Sequence, residues 1–197
     1  MSPTLQEALY TIEPNGECVI LRLVSNDGTN RLTRARVRAL TAALEELARH
    51  PPSRLVIAGN VHFFSAGADL NEIAALTGPK ALRFAHMGQR LMNAVANFPA
   101  PTTAAVHGYC MGGGLDLALA CDRRIATPHA IFGHRGAALG LITGWGGTQR
   151  LSRLIGKARA LQMLLAAEKV QAPRAWQIGL VNAVAEDPLA AALEPIL

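Results

Sequence analysis

Long apolar runs are missing from this 197-residue chain, although half of its residues are hydrophobic. None approaches the roughly 20 residues of a membrane-crossing helix, so a membrane protein is not expected. The opening stretch MSPTLQEALYTIEPNGE has neither the basic start nor the apolar core of a secretory signal. Cysteine is scarce. Cys18, Cys110 and Cys121 are odd in number and form no CxxC pair, which excludes a disulfide framework and points to reduced thiols in the cytoplasm. His62, His86, His107, His129 and His134 show no paired ligand spacing, so no metal is expected. Aromatic residues make up only 5% of the chain, and no aromatic–basic platform accompanies its net charge of +5, so nucleic acid is not an expected partner.

What remains is rich in alanine, leucine and glycine, a balance that fits a helix-rich α/β protein. CVILRLVS (18–25) reads as a strand closed by the turn NDG. Thr33 is placed to N-cap a helix whose Val37, Leu40, Leu44 and Leu47 recur at helical spacing up to HPP. RLVIAG reads as a buried strand, Leu70–Ala75 as a short helix and Lys80–Asn97 as the longest helix. Strand-like TTAAV precedes a glycine turn, LDLALACD restarts a helix, and RIATPHAIFG supplies short strands. Helices are predicted over 145–154, 157–167 and 172–178, and GLVNAV as a late extended piece. This order implies mostly parallel strands. No repeat, low-complexity tract or linker divides residues 1–197, so a single domain is expected. Arg22, Arg31, Arg34, Arg36 and Arg38 concentrate positive charge in one region, with Arg34 and Arg38 on one helix face. That face reads as a solvated surface or as a docking site for a phosphorylated small molecule.

Two runs of small residues invite a chemical reading. In MGGGLDL, three glycines stand between a strand and a helix, where unpartnered backbone N–H groups and the helix dipole favour an anion or a developing oxyanion. GxxxxGK[ST] and GxGxxG are both absent, so a phosphate loop or dinucleotide fold has little support. SAGADL comes after another strand candidate. In a parallel sheet both turns open at strand carboxyl ends, and two N–H groups from two such turns can hold one carbonyl oxygen.

Together, FFSAGADL, AAVHGYCMGGGLDLALACD and FGHRGAALGLITGWGGTQRLSRLIGKARA, with AWQIGLVNAV, resemble the crotonase superfamily (the enoyl-CoA hydratase/isomerase family) over about residues 17–187. The resemblance implies a crotonase-like spiral of ββα units, here with a shortened C-terminal helical region. It implies an acyl-CoA thioester substrate, no cofactor beyond the coenzyme A that the substrate carries, and a homo-oligomer, a trimer or a dimer of trimers. Mapped onto the family's motifs, the oxyanion-hole donors are Ala68 and Gly113, and the first catalytic acid is Asp116. Ala66, Gly67, Asp69, Tyr109, Gly112, Gly136 and Trp145 are expected to contact substrate. Cys110 lies close to the glycine turn, and Ile73–Met92 is expected to line the acyl tunnel.

The family's hydratases carry a second glutamate where this chain has Gly136. Nor does an aspartate precede the later glycine pair, where Thr143, Gly144 and Trp145 stand. His134 is the candidate substitute acid, and strand alternation would turn Arg135 away from it. A single acid suits double-bond migration or decarboxylation better than two-glutamate hydration. The alternatives are a hydratase with atypical acid/base residues, a non-catalytic acyl-CoA-binding protein and a scaffolding subunit.

Overall fold

The computed structural model describes residues 8–194 and divides ten strands between two sheets. The larger sheet runs β1 (Tyr10–Asn15), β2 (Cys18–Leu23), β3 (Arg54–Ala58), β5 (Thr102–Val106), β7 (Arg123–Ala126) and β10 (Ala183–Val184). Its neighbours are parallel except for the β1–β2 hairpin. The smaller sheet runs β4 (Phe63–Ser65), β6 (Tyr109–Met111), β8 (Ile131–Gly133) and β9 (Lys169–Gln171), with only the last pair antiparallel. Three times in succession the chain passes from the larger sheet to the smaller and then into helix. β3 and β4 lead to α2 (Leu70–Ala74) and α3 (Gly78–Ala96), β5 and β6 to α4 (Gly113–Ala120), and β7 and β8 to α5 (Gly147–Ile155).

RLVIAG contributes β3, and its unbroken apolar character stems from burial on both faces. Leu55 and Ile57 belong to the main core with Leu40 and Leu44 of α1 (Arg34–Leu47) and with Leu91 of α3. Val56 and Ala58 face the other way, into a smaller core with Ile20, Ala105, Ile125 and Ala192 of α8 (Pro188–Leu193). The helix α1 starts where expected: the Thr33 hydroxyl accepts from Arg36 N–H at 3.2 Å. Further along, α6 (Lys157–Leu165) and α7 (Ala172–Gln177) match the predicted helical stretches.

Four strands were not anticipated. β4, β6 and β9 have three residues each, too few to express a period of two, and β1 is an edge strand carrying polar residues and Pro14. The two small-residue turns therefore come after β4 and β6, a parallel pair, rather than after β3 and β5.

The arginine cluster splits by environment. Arg36 is buried, with its guanidinium on the carbonyls of Leu9, Arg31 and Val24. Arg22 pairs with Glu13, while Arg34 and Arg38 line a groove between α1 and α3 together with Lys80 and Arg83.

Candidate active site

Parallel pairing of β4 with β6 brings the turns at their C-terminal ends into contact. Gly67 has φ +95°, and a Cβ there would stand 2.6 Å from the Met111 carbonyl and 3.1 Å from Gly113 N. Only a residue without a side chain allows this approach. Across it, Ala68 N lies 3.3 Å from the point where a Gly113 Cβ would be. Gly113 opens α4, so its N–H has no intrahelical acceptor. Ala68 N–H donates in none of the loop hydrogen bonds among the described residues. Two donors thus stand side by side in the wall of a cavity of about 420 Å³.

That cavity is walled largely by apolar side chains, among them Leu70, Ile73, Leu76, Phe84, Leu141 and Ile142. Three of its polar side chains, Asp116, Thr143 and His134, lie together. Asp116, one turn into α4, is 1% exposed, and its Oδ2 accepts from the Thr143 hydroxyl at 2.5 Å. Its Oδ1 has no hydrogen-bond partner among the described residues, and neither does His134 Nε2, which lies 3.6 Å away. Asp116 Oδ1 lies against the first residue of α5. A Cβ on Gly147 would come within 1.9 Å of it. Trp145 closes the cavity from the side of α3, its Nε1 donating to the Phe84 carbonyl at 3.3 Å and its ring 5.2 Å from that of Phe84.

A sequence profile of the enoyl-CoA hydratase/isomerase family matches residues 15–193. The chain belongs to this family. A probable enoyl-CoA hydratase of Bacillus subtilis is 38% identical over 171 residues, which cover 86% of this chain and 66% of that protein. The chain thus spans just under two thirds of that relative's length. Among solved structures, Pseudomonas aeruginosa DspI superposes with a TM-score of 0.90 at 35% identity, covering 98% of this chain and 81% of its own. An enoyl-CoA hydratase from Bacillus anthracis superposes with a TM-score of 0.86 at 32% identity, covering 90% and 70%. The two parallel-stranded sheets and their ββα units are the crotonase fold.

Within this crotonase fold, Ala66, Gly67, Ala68, Gly112, Gly113, Asp116, His134, Gly136 and Trp145 all line the cavity. Asp69 and Tyr109 do not. Asp69 instead caps α2, accepting from Glu72 N–H at 3.0 Å, with its other oxygen 3.9 Å from Arg31. Tyr109 points out of β6 and stacks on Phe63 at 5.4 Å, because alternation along the strand sends it to the face opposite Cys110. Cys110 is fully buried behind the turn and outside the cavity lining, and burial pushes its thiol well above the ordinary range. The segment Ile73–Met92 divides between cavity wall and core. Ile73, Leu76, Ala81, Phe84 and Ala85 line the cavity, whereas Leu91 and Met92 are core.

Two polar lining residues escaped the sequence reading, alongside several apolar ones. Arg135 lines the cavity because β8 ends at Gly133, and strand alternation does not extend to the loop beyond it. In the sequence Thr143 stands out only for not being an aspartate, and its contact with Asp116 crosses 27 residues that no local pattern links. At Gly136, a Cβ would stand 2.7 Å from the Leu141 carbonyl, so this loop conformation is incompatible with a side chain there.

Proposed function

We propose that this chain acts on acyl-CoA thioesters through a stabilised enolate, with Asp116 as the proton carrier. One observation carries the reading: the cavity wall holds a buried carboxylate with one unbonded oxygen, near two adjacent backbone N–H donors. The thioester oxygen would sit between Ala68 N–H and Gly113 N–H, where charge developing in the transition state meets preorganised donors. Asp116 Oδ1 takes the α-proton, and the C–H electron pair passes into the carbonyl to form the enolate. Return of that proton at the γ-carbon moves a β,γ double bond to the α,β position. For a malonyl-type thioester, loss of CO2 leaves the same enolate, which is then protonated at the α-carbon. Asp116 is the one carboxylate among the described cavity-lining residues, which favours these two reactions over two-glutamate hydration. Lys80, with Arg34, Arg38 and Arg83, lines the cationic groove beyond Phe84 and suits the phosphate end of the substrate. By family resemblance, the chain works as a single-domain subunit of a cytoplasmic trimer or dimer of trimers.

A second reading has its own support. His134 Nε2 faces Asp116 Oδ1 with neither bonded, and such a pair can share the acid and base work of adding water to an enoyl thioester.

Deuterium uptake at the α-carbon of short acyl-CoA thioesters in D2O tests the enolate. Wild type should exchange, and Asp116→Asn should lose about 10²-fold or more of the rate while still binding acyl-CoA in calorimetry. Unchanged exchange in Asp116→Asn would remove it from the mechanism. Binding without any exchange would favour a non-catalytic acyl-CoA-binding protein.

A further inference from the structure

We infer that Thr143 is the positioning residue for Asp116: its hydroxyl pins Oδ2, so that Oδ1 alone is left unbonded to carry the proton. The inference rests on the proton-carrying role proposed above. A threonine hydroxyl has a single proton, and here it is given to Asp116 Oδ2 at 2.5 Å. The direction of that donation is fixed from behind, because Trp145 N–H donates to the same hydroxyl oxygen at 3.2 Å. Trp145 is itself held: it is 3% exposed, and its indole N–H is tied to the Phe84 carbonyl of α3. A continuous series of held groups therefore runs from α3 through Trp145 and Thr143 to the carboxylate.

The opposite oxygen is confined without being bonded. Oδ1 rests where a side chain on Gly147 would collide with it, and it faces His134 Nε2 across 3.6 Å. The terminal torsion of an aspartate is broad and nearly two-fold. Without the anchor on Oδ2, the carboxylate is free to turn, exchange its two oxygens or swing onto His134. Pinned, it offers one oxygen from one direction, so a proton leaves and returns on one face of the enolate.

Thr143→Val keeps the shape and removes the hydroxyl, while Thr143→Ser keeps the hydroxyl. Both are compared with wild type by butyryl-CoA exchange in D2O, reading kcat, KM and the stereochemistry of the deuterium introduced. In Thr143→Val, kcat should fall by about 10- to 100-fold, as small misplacements of a reacting group do. KM should change little, and deuterium should appear on both faces. Thr143→Ser should restore single-face exchange and most of kcat. Equal losses in the two variants, or a loss confined to KM, would overturn the assignment. If wild type exchanges no proton, the enolate reading itself fails. A crystal structure of Thr143→Val then decides the positioning claim: a reoriented Asp116 carboxylate supports it, and an unmoved one overturns it.

Discussion

Asp116 combines three features that seldom coincide in one carboxylate: near-complete burial, one anchored oxygen and one bare oxygen. Space for the bare oxygen depends on Gly147, because any Cβ there would overlap it. Gly147→Ala should therefore push the carboxylate aside and lower exchange at least about tenfold, while overpacking costs about 1–3 kcal/mol of stability. Measuring kcat alongside urea unfolding separates the two effects, and an alanine variant with full activity would show that the carboxylate tolerates displacement. Residue identity made much of this corner readable in advance, since small residues beside an acid suggest backbone donors and a base. Roles that depend on direction were not readable. Asp69 has the right chemistry for a site but spends it capping α2. Tyr109 is adjacent to the glycine turn, yet the pleat of β6 sends it to the other face.

Helices were legible where apolar spacing and a capping residue agreed, as at Thr33 ahead of α1, and along α3 by apolar spacing alone. Their stability should obey the same local rules. Removing the cap hydroxyl in Thr33→Ala should cost about 1 kcal/mol in urea unfolding and leave exchange unaffected, because the cap lies outside the cavity lining. A matching loss of activity would tie the start of α1 to the site. Three of the four short strands of the smaller sheet were invisible for the opposite reason. A three-residue strand is defined by its neighbour rather than by its own pattern, and β4, β6 and β9 exist because β8 and one another supply partners. Since the two turns hang from β4 and β6, the feature that creates the site is the one the sequence disclosed least.

Burial at the scale of the molecule also sets an alkaline limit. Cys110 and Cys121 are enclosed, and burial pushes both thiols up, Cys121 to about 12. The folded chain therefore holds protons that the unfolded chain releases above its ordinary thiol value of 9.0. Stability from this source is complete below that value and is lost as pH rises toward about 12. Urea midpoints measured across that interval should fall, and Cys121→Ala should show a shallower decline than wild type. Identical slopes would mean that the thiols are already solvated. Burial on both faces of β3 was foreseeable from RLVIAG, but the identity of what covers each face was not, because α8 and α1 reach it from opposite ends of the chain.

The alternation of strands between two sheets has a consequence for assembly in time. Residues 66–68, 112–116 and 134–145, which meet in the cavity, are contributed by three successive ββα units, and no single unit contains the whole cavity wall. Parallel pairings between distant segments are slow to form, because loop closure must precede the contacts that reward it. A nascent or partly folded chain can thus own helices and even a buried core while remaining chemically silent. On the enolate reading proposed above, competence arrives only with the last unit, when the cavity is closed on all three sides.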